Sequence, residues 1–70
     1  MNDSVYKVIE LIGTSEKSWE DAAKIVIEKA AKTLEDLRIA EVSAMDMKIE
    51  DGKVVAFRTK VKLSFRFRDK

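Results

Sequence analysis

The stretch Lys53-Val54-Val55-Ala56-Phe57-Arg58-Thr59-Lys60-Val61-Lys62-Leu63-Ser64-Phe65-Arg66-Phe67-Arg68-Asp69 decides how this chain folds. From Val55 to Phe67 its odd positions, Val55, Phe57, Val61, Leu63, Phe65 and Phe67, are apolar apart from Thr59. Its even positions carry Arg58, Lys60, Lys62, Arg66 and Arg68. Neighbouring strand side chains point to opposite faces, so the segment has one greasy face and one basic face. At ~3.3 Å per residue it spans roughly 50 Å. A compact chain of this length has a radius of gyration of only about 11 Å. The strand is therefore expected to bend sharply, to project onto a neighbour, or both, and this points to self-association.

Immediately before it, Asp51-Gly52 is a hairpin signal, because Gly accepts the positive φ of a tight turn. The hairpin pairs the long strand with a strand over Ile39–Ile49. There Ile39, Met45 and Met47 share a parity with Glu41 and Ser43, and Ala40, Val42 and Ala44 share the other with Asp46 and Lys48. Further back the period becomes helical. Ala22, Ala23, Val26, Ile27, Ala30, Ala31, Leu34 and Leu37 recur at three- and four-residue spacing, predicting a helix from Trp19 to about Leu37. Ser18, three residues before Asp21, is its expected N-cap. Trp19 is expected to be a packing staple or an interface anchor. Gly13-Thr14-Ser15 is expected to break a first strand over Val5–Ile12.

The order is β-α-β-β in one α+β domain, residues 1–70. A strand–helix–strand crossover makes the first two strands parallel, so the third lies between them, antiparallel to both. The result is a three-stranded antiparallel sheet wrapped around one helix, with a face and two edges left to cover.

Composition narrows the function. Seventy residues bury little surface, and small folds gain help from disulfides, metals or oligomerisation. The chain has no Cys and no His. That removes disulfides, thiolate and imidazole metal sites, and the usual general base. Oligomerisation remains, or a cation held by carboxylates. The serines have no histidine to activate them, so an enzyme is not expected. Glu10, inside an apolar strand, is the carboxylate expected to be buried, either paired with the basic strand or serving as a general acid. Gly13-Thr14-Ser15 before a helix is either a plain turn or an anion site, though P-loop spacing is missing.

Residues 1–52 carry a net charge of −5 and residues 53–70 a net charge of +6. These are either solvated faces or surfaces that meet between subunits. The phenylalanines lie opposite the cations in parity, so no stacking platform for nucleic acid forms. No apolar run is long enough for a membrane span, and no signal-peptide pattern is visible. A cytoplasmic protein is expected. Asp46, Glu50 and Asp51 gather near the hairpin; Asp46 and Glu50 share a parity and are candidate ligands for a hard cation such as calcium.

Val5-Tyr6-Lys7-Val8-Ile9-Glu10-Leu11-Ile12-Gly13-Thr14-Ser15, Ala30-Ala31-Lys32-Thr33-Leu34, Glu41-Val42, Gly52 and the Phe57…Val61…Phe65-Arg66 pattern resemble the dodecin family over nearly the whole chain. The resemblance implies a hollow homododecamer of β-α-β-β subunits. It also implies a non-enzymatic role in holding a small ligand, in many members a flavin (FMN or riboflavin). Flavin-binding dodecins stack the ring on a Trp where this chain has Ile39, and hydrogen-bond it with a Gln where this chain has Arg58. Met45 lies near the same pocket. Ile offers no aromatic face, and Arg offers donors but no acceptor. Ser18-Trp19-Glu20, Asp36-Leu37-Arg38-Ile39-Ala40 and Asp46-Met47 resemble the calcium dodecin branch, which lacks that Trp. Calcium is accordingly preferred to flavin. An altered flavin store and a purely structural shell are the alternatives.

Overall fold

The computed structural model describes residues 4–67. Strand β1 (Tyr6–Ser15) is followed by helix α1 (Trp19–Ala30) and strands β2 (Leu37–Glu50) and β3 (Lys53–Arg66). The sheet order is β1-β3-β2, with β3 central and antiparallel to both neighbours. This is the expected architecture. The extension of β3 is expressed as projection. The molecule measures 54 × 20 × 15 Å with a radius of gyration of 14.6 Å, well above the roughly 11 Å of a compact chain.

At the hairpin, Asp51 (φ 51°) and Gly52 (φ 74°) both adopt the left-handed region, as a two-residue turn matching the sheet twist requires. Next to the turn, Ile49 pairs with Val54, whereas Lys48 pairs with Ala56. Val55 is thus an extra residue on β3, a β-bulge. A second bulge lies at Ser43, between the Val42–Val61 and Ala44–Lys60 pairs. This one corrects the expected parity of β2. Met45 and Met47 share a face with Ala40 and Val42, and Ile39 and Glu41 share the opposite face with Ala44 and Asp46.

The helix is shorter than its apolar spacing predicts. It ends at Ala30, and Lys32 and Thr33 then donate to the carbonyls of Lys29 and Ala30 three residues back, the tightened turn common at helix ends. Asp36 enters the left-handed region at φ 61° and turns the chain into β2. Leu34 and Leu37 still pack on the core, from outside the helix. β1 does not break at Gly13 but continues to Ser15.

Val26 and Ala30 of the helix pack on Val61 and Leu63, with Ile9 and Ile27 alongside. Thr59 is buried on the same face, its Oγ1 donating to the Trp19 carbonyl at 2.9 Å. A 12-residue helix extends about 18 Å and covers only part of the sheet. It leans on β1 and β3 and barely touches β2. The odd positions of β3 are therefore buried only in the middle; Val55 and, just past the strand, Phe67 remain exposed. Val42, Met45 and Met47 of β2, on the helix side, stay 49%, 58% and 45% exposed.

Candidate functional site

The cluster that gathers most of the sequence-selected residues lies where the helix begins. Ser18 caps α1, its Oγ accepting from the Asp21 amide at 3.0 Å. The Asp21 carboxylate accepts from Ser15 Oγ at 2.7 Å instead of returning to Ser18, so the capping box is not reciprocal. Ser15 is buried and also accepts from the Lys17 amide. The helix N-terminus thus carries a carboxylate of its own, which suits its dipole, and Gly13-Thr14-Ser15 acts as the end of β1 and a turn.

Trp19 opens the helix. Its ring meets Phe57 edge-on at 5.0 Å between centroids, and its Nε1–H donates to the backbone carbonyl of Asp46 at 2.9 Å. Trp19 is therefore a staple between the helix and both strands of the hairpin.

Asp46 stands opposite Arg58. Arg58 Nε donates to Oδ1 and Nη2 to Oδ2, each at 2.7 Å. This is the fork geometry that guanidinium and carboxylate favour. The hydrogen bonds from Arg58 hold the Asp46 carboxyl below its ordinary value; its limited burial opposes this, and the charges of Arg58 and Lys60 add to the lowering. The bulge at Val55 creates the pairing. Without the extra residue, the two-residue turn would place Phe57 opposite Asp46.

The other candidates are dispersed. Glu50 lies four residues along β2 from Asp46, about 13 Å at strand rise, opposite Lys53 and 3.6 Å from Lys48 Nζ. Among the described residues no group of three or more acidic side chains converges. Calcium takes about six to eight oxygens. The described residues of a single chain do not furnish such a sphere, and the Asp46 carboxylate is already engaged. Ile39 pairs with Ser64, six residues from Arg58 along β3, and is 59% exposed. With Ile27, Leu37, Arg38, Ala40 and Leu63 it lines a cavity of about 120 Å³. Met45 pairs with Thr59 on the helix side, away from both. One chain therefore does not bring Ile39, Met45 and Arg58 together.

Glu10 corrects an expectation. It is exposed. It stands across from Lys62, which faces Glu41 on its other side, and its Oε2 accepts from Ser43 Oγ at 3.1 Å. The sheet face away from the helix is open in a single chain, as the strand order implies. The Ser43 hydroxyl also lies 3.2 Å from the Lys60 carbonyl, so the bulged residue reaches over the central strand. Composition carries no signal for that contact.

The structure is thus a β-α-β-β chain with a projecting hairpin and an uncovered sheet face. The chain belongs to the dodecin family, whose family model matches residues 5–68. It is 42% identical over 65 residues to a calcium dodecin of Mycobacterium tuberculosis, covering 93% of this chain and 92% of that one. It is 34% identical to a dodecin of Thermus thermophilus, over 93% and 94% of the two chains. The structure of dodecin from Streptomyces coelicolor superposes with a TM-score of 0.92 at 33% identity, covering 100% of both chains.

Proposed function

We propose that this protein is a non-enzymatic dodecin. Its subunits close into a homododecameric shell that holds a small ligand or cation, with calcium ahead of flavin. The observation that carries the assembly is the apolar surface a single chain leaves open. Val8, Ile12 and Ile39 on one face and Val42, Met45 and Met47 on the other are each between 45% and 59% exposed. Exposed apolar area on this scale marks an interaction surface. Further copies of the chain would cover it.

The preference for calcium over flavin is supported by two features. The relative from M. tuberculosis is described as calcium-chelating, and Ile39 stands where the flavin-binding members carry an aromatic platform. Asp46 and Glu50 are the candidate ligands, and their coordination would be completed by oxygens of neighbouring copies. Among the described residues no helix is long and apolar enough to cross a membrane; a cytoplasmic location is part of the proposal.

Calorimetric titration of the purified assembly with calcium, in the unmodified protein and in Asp46→Asn and Glu50→Gln, tests the ligand assignment. Calcium heat that these changes weaken supports it. Absent calcium heat, together with quenching of added riboflavin or FMN fluorescence, would replace it with the flavin-store reading. Absence of both, with the assembly intact, would leave a structural shell.

A further inference from the structure

We propose that the open edge of β1 in one chain is extended by the hairpin tip of a second copy, which lays Met47 and Ile49 on the helix wall and brings Asp51 to Lys29. The proposal rests on the shell reading above and names one contact within it.

In the order β1-β3-β2 each outer strand keeps one unpaired edge. Such an edge is a template for another strand. The edge of β1 lies beside a cavity of about 480 Å³, lined by the four consecutive residues 11–14 and by Ile25, Val26 and Ala30 of the helix. Successive strand side chains point to opposite faces. A cavity that touches all four residues therefore follows the edge of the strand and not one of its faces. A strand edge beside an apolar helix wall suits an extended guest. The β1 backbone supplies the hydrogen bonds, and the helix receives every second side chain.

The hairpin tip has the matching pattern. The Asp46 carbonyl is taken by Trp19. Beyond it β2 continues towards the turn, past the start of the helix. Met47 and Ile49 share one face of this stretch and are both exposed. Lys48 and Glu50 share the other and form an ion pair at 3.6 Å, so the polar face is satisfied within the chain. Residues 47–50 and residues 11–14 both span about 10 Å at strand rise.

Charge sets the direction. Among the described residues Lys29 is the one ionisable side chain lining the cavity, and neither Lys29 nor Asp51 has an ion-pair partner there. Ala22 lies over Gly13, whereas Ala30 belongs to the cluster that includes Ile9. The helix therefore runs antiparallel to β1, and Lys29 stands at the Leu11 end of the groove. With Asp51 placed there, the incoming strand is antiparallel to β1. An exposed pair of this kind fixes register more than it adds affinity. The two edges are different surfaces, so the contact is heterologous and builds a ring of copies, not an isolated pair.

The chain has no Cys, so Lys29→Cys and Asp51→Cys introduce its only thiols. Within one chain they do not meet. Lys53 beside the turn and Val61 beside Ala30 lie eight places apart on β3, about 26 Å at strand rise. Treated as the intact assembly with a short bis-maleimide, the double variant is expected to give products of two and more chains on a denaturing gel. Neither single variant is expected to give any. Cross-linking of a single variant to the same extent as the double would overturn the proposal, as would an intact double-variant assembly that yields no product.

Hydrogen exchange of the unmodified assembly, read peptide by peptide, gives a second test that needs no substitution. The amides of residues 11–14 and 47–50 are expected to be slowed together and to be released together on dissociation. Free exchange in both stretches of the intact assembly would overturn the proposal. Protection of residues 11–14 alone would place a different occupant, a peptide of another protein or a small molecule, in the groove and overturn it equally. An intact assembly that fails these tests refutes the edge contact alone. An 8.0 kDa monomer in every preparation refutes the shell reading as well.

Discussion

Gly13 lies directly beneath Ala22. A Cβ built on Gly13 would sit 2.2 Å from the Ala22 carbonyl oxygen and 2.3 Å from Val26 Cγ2. The helix thus crosses β1 at backbone distance, and the buried Ala22 lets it come that close. The glycine in Gly13-Thr14-Ser15 answers this close approach.

Gly13→Ala is accordingly expected to lower stability by about 1–3 kcal/mol, the usual cost of forcing atoms into a packed core. Gly52 has open space around its Cβ position but a φ of 74°. Gly52→Ala is expected to cost roughly 1 kcal/mol through backbone conformation, and Gly52→Asn less. Denaturant unfolding of the three variants checks the order, with Gly13→Ala the most destabilised.

Trp19→Phe keeps an aromatic edge against Phe57 and removes the N–H donated to the Asp46 carbonyl. A loss of about 1 kcal/mol is expected. Trp19→Ala is expected to cost more, because the aromatic contact goes as well. Urea midpoints compared with the unmodified protein measure both.

Asp46 is predicted to titrate below its ordinary value of 3.8. The folded value is the depressed one, so the pair's contribution is fully present above the ordinary carboxylate range. It is lost as pH falls through the folded value. Carboxyl carbon NMR of Asp46 against pH should show the depressed midpoint, and Arg58→Gln should move it back towards 3.8.

Val42 lies over the core rung at Val61 yet remains 49% exposed in a single chain. Val42→Asp is expected to change little within a single chain, because the position is open there. It should break the assembly, because a charge is then buried unpaired between copies. Sedimentation or light scattering should show a smaller species, and far-ultraviolet dichroism a loss of structure, because the freed chain has lost its cover.

Strand order, the hairpin at Asp51-Gly52 and the central place of β3 were legible because each depends on local signals: period-2 alternation, a left-handed turn pair and a helical period between strands. The helix end was not. Leu34 and Leu37 continue the helical spacing although the chain has already turned, and both still reach the core. The bulges at Val55 and Ser43 have no local mark, since neither residue is a glycine or otherwise unusual in a strand. They decide which face Met45 takes and which residue meets Asp46. The candidate site was legible as a set of residue types, with Asp46 and Arg58 both singled out. Their pairing was hidden in a one-residue shift of register, and the contact from Trp19 to Asp46 spans 27 positions.

The proposed shell requires that one chain lack the cover it needs and that identical chains supply it. Light scattering on the purified protein at micromolar concentration tests this most directly. Twelve copies of the 8.0 kDa chain should give a particle of roughly 96 kDa. A folded, cooperative 8.0 kDa monomer under the same conditions would contradict it.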